Sequence, residues 1–194
     1  NPTGSSPEFG IWALIIGTLT ITIIATIVAV PIGLGAAIYL NEYASDRSRR
    51  IIKPILEILA GIPTIVFGFF ALTFVTPILR NLIPNLGEFN SISPGIVVGI
   101  MIVPMITSMS EDAMSSVPDK IRDGAFGLGA TKFEVATKVV LPAATSGVVA
   151  SIVLGISRAI GETMIVSLAA GSSPTSSLSL TSSIQTMTGY IVEI

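Results

Sequence analysis

Two ionisable side chains, Arg158 and Glu162, stand inside the apolar stretch GISRAIGETMIV, Gly155 to Val166. On insertion scales each such charge costs roughly 2.5–3.5 kcal/mol at the centre of a bilayer. A helix would set them one turn apart on one face, about 6 Å along the axis. Two readings fit. In one, the pair is a salt bridge that fixes helix packing, although Arg before Glu is the less favourable order at this spacing. In the other, it faces the bundle interior and binds an anion. A guanidinium presents a planar fork of donors that grips a tetrahedral oxyanion in bidentate fashion. The carboxylate would hold that fork between binding events, or accept a hydrogen bond from a protonated oxyanion such as hydrogenphosphate. Ser157 and Thr163 add hydroxyls that can join such a site or bond to their own backbone.

The rest of the chain must carry this pair into a membrane, and its composition suits that. Of 194 residues 51% are hydrophobic and 11% charged, where a soluble domain carries about a quarter charged residues. Cysteine and histidine are absent, which excludes disulfides, thiolate or imidazole metal ligands and histidine-based triads. The formal net charge of −2 comes without a basic arm, so nothing points to nucleic acid. Residues 1–10 are polar and turn-rich rather than a signal peptide, and the string GSSPEF among them resembles a cloning linker.

Four apolar segments read as spans, at about 11–40, 54–77, 94–110 and 143–170, against the roughly 20 residues that a spanning helix needs. Arg158 falls near the middle of the fourth. Lys and Arg cluster at Asn41–Lys53 and again at Glu111–Lys138. The positive-inside rule makes those connections cytoplasmic. Arg80–Ser93 and Gly171–Ser183 are then external, as are both chain ends. External ends around an even number of spans fit a chain that lacks helices at one or both ends. Thr18, Thr22 and Thr26 form one polar stripe on the first span, suited either to helix packing or to lining a pathway. Pro31, Gly61, Pro63 and Pro104 disturb the spans, as neighbours or water permit.

The stretch SSVPDKIRDGAFGLGATKFEVATKVVLPAA reads as two short helices with a glycine elbow, at about 115–141. Ser116 with Asp119, and Thr131 with Glu134, are N-terminal capping patterns. Val117, Ile121, Ala125 and Leu128 would share one face of the first helix, and Phe133, Ala136 and Val140 one side of the second. Gly129 suits the left-handed position between them, and Pro142 marks the start of the fourth span. Such a pair can dock a soluble partner.

This run resembles the EAA motif of ABC import permeases. Asp123, Gly124 and Ala125 stand where the motif has Glu-Ala-Ala; Gly129, Val139, Leu141 and Pro142 follow at its spacing. In that family the loop inserts into a cleft on the ATPase, so the resemblance makes Asp123, Gly124, Ala125, Gly129, Leu141 and Pro142 ATPase-docking residues. RAIGETMIV, EILAGIPTIVFGFFALTFVTPIL and the stretch from Gly17 to Tyr43 resemble the permeases of the phosphate-specific transport (Pst) system, and GETMIV and LTFVTP its PstC type. The implied fold is an all-α integral membrane protein with the type I, MetI-like ABC importer core. Four transmembrane helices and a cytoplasmic coupling loop lie in this chain, with a further helix on either side. The implied function is ATP-driven inorganic phosphate import through the bacterial cytoplasmic (inner) membrane. The implied substrate-pathway residues are Arg158, Glu162, Ser157, Thr163 and Thr22. The implied partners are a PstA-type permease, a dimeric PstB-type ATPase, an external PstS-type phosphate-binding protein, phosphate and membrane lipid. The chain has no phosphate loop of the Gly-x-x-x-x-Gly-Lys-Ser/Thr form. It needs no cofactor and is no enzyme by itself, ATP-Mg belonging to the partners. The alternatives are a permease for another oxyanion such as phosphonate and, in a different class, an ion-coupled secondary transporter or channel.

Overall fold

The computed structural model describes residues 11–172 and 180–193. Residues 1–10 with the linker-like string, and part of the expected loop Gly171–Ser183, lie outside them. All regular structure among the described residues is helical. We number the helices α1 (Ile11–Tyr43), α2 (Asp46–Ala60), α3 (Thr64–Leu82), α4 (Ile92–Ser115), α5 (Asp119–Gly127), α6 (Lys132–Ala143), α7 (Thr145–Ile160), α8 (Met164–Ala169) and α9 (Met187–Glu193). Helices α1, α3 and α4 are long and apolar enough to cross a membrane, and α6 with α7 form a fourth such segment bent by 76°. Their outward faces are apolar: Leu19 and Ile23 on α1, and Phe69 and Phe74 on α3, are all exposed, as lipid-facing residues are.

The expected second span, 54–77, is divided. Gly61 ends α2, and Pro63 precedes Thr64, the first residue of α3. Proline removes a donor and pushes the residue before it out of the helical region, so two helices replace one. Helix α2 also begins earlier than the apolar run. Ser45 caps it, its side chain accepting from Ser48 N–H, and Asp46 in the first turn favours the helix dipole. The third apolar segment, only 94–110 by composition, lies in a 24-residue helix that runs on to Ser115 and so carries Glu111 inside it. The fourth, 143–170, breaks after Ile160 and resumes at Met164.

The chain forms two compact units. One comprises the described parts of Asn1–Ala25, Pro63–Gly99 and Ala159–Ile194. Here α8 packs on α3, with Gly68 against Ile165 and Leu168; a Cβ at Gly68 would lie 2.8 Å from the Leu168 side chain. The segment after residue 180 is tied to its neighbours by backbone bonds: Gly87 N–H donates to the Thr181 carbonyl at 2.9 Å, and Ile184 N–H to the Ala170 carbonyl at 3.0 Å. At the start of α9, Met187 N–H donates to Thr18 Oγ1 at 3.1 Å.

The other unit comprises Thr26–Ile62 and Ile100–Arg158. Its core gathers Ala37, Met114, Val117, Val135, Val140, Ala144 and Val148. Ile106 packs against both Gly33 and Gly155, at distances that leave no room for a larger residue at Gly33. Buried hydroxyls add polar ties: Ser110 and Ser151 share a hydrogen bond of 2.7 Å, and Thr107 donates to the Gly33 carbonyl at 3.2 Å. Small residues and hydroxyls are how helices associate where lipid removes the hydrophobic drive.

Candidate functional site

The geometry of Arg158 and Glu162 differs from one helical turn. Arg158 lies in the last turn of α7, not in mid-span. There the unpaired carbonyls of the helix end favour a cation. The helix stops at Ile160, so Glu162 is not on its face. Glu162 is buried, and its Oε1 accepts from Met164 N–H at 3.1 Å and Ile165 N–H at 3.3 Å. Its backbone carbonyl accepts from Thr188 Oγ1 at 2.7 Å. Glu162 therefore caps the short α8, whose free N–H groups need an acceptor. Replacing it by Ala should destabilise the protein by about 1.5–3 kcal/mol, the range for a hydrogen bond to a charged group. Glu162→Gln keeps an acceptor oxygen and should cost less. Thermal unfolding in detergent beside transport assays checks this: the two variants should order by stability, and the Gln variant should transport within severalfold of the parent.

The hydroxyls flanking the pair bond locally. Ser157 is exposed and donates to the Val153 carbonyl at 2.9 Å, and Thr163 donates to the Gly161 carbonyl at 3.3 Å. Thr22 is buried and donates to the Thr18 carbonyl at 2.8 Å. Such back-bonding suits packed helices.

Arg158 is exposed and has no ion-pair partner among the described residues. It lines a cavity of about 290 Å³ together with Lys53, Glu57, Pro104, Ser108 and Glu111. Glu111 is almost wholly buried on α4, and its Oε2 lies 2.6 Å from Lys53 Nζ on α2, itself 40% exposed. The other oxygen receives only a long bond from Ser115 Oγ, 3.4 Å. Reading the sequence for spans missed this pair. Lys53 looks like one of several loop cations, and Glu111 like the polar end of an apolar run. The signal available was an acidic residue within one helix length of Pro104, which only a longer third span would have taken inside.

The elbow is built as its local motifs demand. Thr131 Oγ1 accepts from Glu134 N–H while the Glu134 carboxylate accepts from Thr131 N–H, a reciprocal capping box. Gly129 has φ of +85°, a conformation in which a Cβ crowds the backbone. Ser116, however, does not cap α5. It donates to the Ala113 carbonyl at 2.7 Å, closing the end of α4, and α5 starts after Pro118. The faces differ too. Val117 is buried and Ala125 packs on the core, but Ile121 and Leu128 point outward, Leu128 91% exposed. In α6 a π-helical turn over Val135–Val140 rotates the register. Val135, Ala136 and Val140 are buried, whereas Phe133 is 66% exposed. Asp123, Gly124 and Pro142 are exposed, and Leu141 packs against the core. Leu128 and Phe133, either side of the Gly129 elbow, are thus exposed apolar side chains outside the core.

The described residues hold no strand, three helices able to span a membrane with a fourth bent one, and a capped helical elbow; the chain is a multi-pass membrane protein. A sequence profile described as the binding-protein-dependent transport system inner membrane component matches residues 29–193. The chain belongs to that family. Relatives include the probable ABC transporter permease protein YqgH of Bacillus subtilis, 38% identical over 88% of this chain and 55% of that protein. The phosphate transport system permease proteins PstC of Haemophilus influenzae and Pasteurella multocida are 37% and 38% identical, over 86% and 88% of this chain and 59% of each of theirs. This chain thus spans under three fifths of the length of these relatives. A structure of the MetNI methionine ABC transporter in inward-facing conformations superposes with a TM-score of 0.66 at 22% identity, over 80% of this chain and 74% of that one. The fold is therefore the all-α, MetI-like core of ABC importer permeases.

Proposed function

We propose that this chain is the PstC-type permease subunit of an ATP-driven inorganic phosphate importer in a bacterial inner membrane. Arg158 is the observation that carries the reading. It is an exposed guanidinium, without an ion-pair partner among the described residues, on the wall of a cavity in a spanning unit. An isolated charge at such a place is a functional group by default, and its fork fits a tetrahedral oxyanion. The names of the PstC relatives supply phosphate as the cargo. On this reading the elbow from Asp119 to Ala143 docks on an ATPase dimer through exposed Leu128 and Phe133, with Asp123, Gly124, Ala125 and Gly129 setting its shape. A second permease completes the pathway, and an external binding protein delivers phosphate. ATP and magnesium are held by the ATPase, and this subunit needs no cofactor of its own. An elbow of this build disfavours a secondary transporter, which has no ATPase to engage.

The test is reconstitution of the full-length subunit with its partner permease, ATPase and binding protein in vesicles. ATP should drive accumulation of radiolabelled phosphate, and phosphonate should compete poorly. Uptake of phosphonate in preference to phosphate would move the cargo to the other oxyanion, and uptake independent of ATP would overturn the class. The same vesicles test the elbow. Gly129→Val strains the backbone by about 1–2 kcal/mol, and because nothing lies within 4 Å of the added Cβ, the cost is conformational alone. Uptake per ATP hydrolysed should fall severalfold while the protein stays assembled; an unchanged ratio would count against the docking role.

A further inference from the structure

The Lys53–Glu111 pair has features that a structural salt bridge does not need. Glu111 is 98% buried at its side chain, and its Oε2 is held by Lys53 Nζ alone, 2.6 Å away, with no backbone or hydroxyl donor on that oxygen. Taking that single partner away would leave a buried carboxylate oxygen unsatisfied, which is costly. Its partner is 40% exposed, so the lysine borders the open space while the carboxylate does not. Both line the cavity that Arg158 lines. Glu57, the cavity's other carboxylate, is exposed and is screened by solvent.

We propose that Lys53 and Glu111 form the selectivity element of an oxyanion subsite in this cavity, a proposal that rests on the transport reading above. Arg158 and Lys53 would hold the anion by charge-assisted hydrogen bonds, Lys53 turning to it from Glu111. Glu111 Oε2 then accepts a hydrogen bond from a hydroxyl on the anion. A carboxylate has acceptors only, so the subsite accepts a tetrahedral anion that bears a proton and repels one that does not. Inorganic phosphate at neutral pH carries one or two hydroxyls; sulfate carries none. A phosphodiester lipid headgroup offers the same charged oxygens but no hydroxyl on phosphorus, so it is excluded by the same atom. The carboxylate left behind when Lys53 turns away stays satisfied only while a protonated anion is bound, which couples release of the lysine to the identity of the cargo.

Equilibrium binding separates this from packing. The assembled transporter, in nanodiscs and without its external binding protein, is titrated with radiolabelled phosphate against sulfate and against dimethyl phosphate, the diester mimic of a headgroup. In the parent protein neither competitor should displace phosphate. In Glu111→Gln, whose amide can donate as well as accept, sulfate should compete, and the preference for phosphate should fall about tenfold to hundredfold, the range of one charge-assisted hydrogen bond. Displacement by dimethyl phosphate in the parent would assign the site to lipid and overturn the proposal. So would an unchanged phosphate preference in Glu111→Gln. The exchange Lys53→Glu with Glu111→Lys covers a folding failure. It restores an ion pair, so assembly and melting should recover, while phosphate binding should not, because the carboxylate then stands on the half-exposed helix. Recovery of binding with assembly would make the pair structural only. ATP-driven uptake of phosphate by the parent complex is measured alongside. If uptake is present and displaceable binding absent, the subsite fails and the transport reading stands; if uptake is absent, the transport reading itself fails.

Discussion

Replacing Arg122 by Ala should destabilise the protein by about 3 kcal/mol or more and, on the proposed function, uncouple ATP turnover from uptake. Arg122 is 14% exposed and spends its whole guanidinium. Nη1 donates to the Val117 carbonyl at 2.8 Å and to Asp119 Oδ1 at 2.9 Å. Nη2 donates to the Met114 carbonyl at 2.7 Å and to Asn41 Oδ1 at 3.2 Å, and Nε reaches Glu42 Oε1 at 3.3 Å. These partners lie at the end of α1, the end of α4 and the start of α5, so one side chain anchors the helical elbow to two spanning helices. Truncation strands the Glu42 carboxylate, whose side chain is only 7% exposed, and frees two carbonyls. Breaking a buried pair by removing one partner costs about 3–5 kcal/mol. Arg122→Lys keeps the charge but reaches fewer acceptors, because an ammonium has no planar fork, so it should fall between parent and Ala in stability. On the proposed function the ATPase would still turn over with the Ala variant, but its strokes would reach the spans less faithfully. A stability loss below about 1 kcal/mol, or an unchanged ratio of phosphate imported to ATP hydrolysed, would remove Arg122 from this role.

What the sequence made legible was local. The Thr131–Glu134 capping box and the left-handed Gly129 each depend on residues within a few positions of one another, and both are present in the structure. Arg122 was not singled out by its surroundings. Its value arises from Asn41 and Glu42, some eighty residues away, and no periodicity carries that. The same holds for Lys53 and Glu111, which pair from distant parts of the chain, Glu111 in a third span that runs on to Ser115. Periodicity also misassigned faces where the helix is not α. The π-helical turn at Val135–Val140 moves Phe133 outward, against a pattern counted at 3.6 residues per turn. Pro63 was visible, but its effect was not: a proline in an apolar run can kink a helix or end it, and the neighbouring Gly61 leaves the second outcome the cheaper. Glu162 is the sharpest case. Its spacing from Arg158 suggested a pair only on the assumption of an unbroken helix. Gly161 precedes it, and the chain turns there, leaving the carboxylate to cap α8.

That separation of roles sharpens what Arg158 should do. Its side chain is exposed, it lies in the last turn of α7, and it has no ion pair among the described residues to lose. Arg158→Gln should therefore leave stability within about 0.5 kcal/mol, as for a surface substitution away from packing or networks. If the guanidinium holds the oxyanion during passage, uptake should nevertheless fall at least thirtyfold, because a bidentate charged contact contributes about 2 kcal/mol or more to the state it stabilises. Arg158→Lys keeps the positive charge without the fork and should lose less, on the order of tenfold. Ordering by uptake with no ordering by stability is the signature of a pathway contact. A packing residue gives the reverse, with melting temperatures that drop and uptake that recovers once the surviving protein is counted. The measurement is radiolabelled phosphate uptake per assembled complex, with the amount of partner permease and ATPase retained by each variant determined in the same preparation. Basal ATP hydrolysis supplies the internal control. On the proposed function it should persist in both variants, since the elbow proposed to engage the ATPase is untouched, and a parallel loss of hydrolysis and uptake would relocate the defect from the anion to the coupling of the machine. An assembled Arg158→Gln complex that imports phosphate at the parental rate would leave the cavity's guanidinium without a transport role.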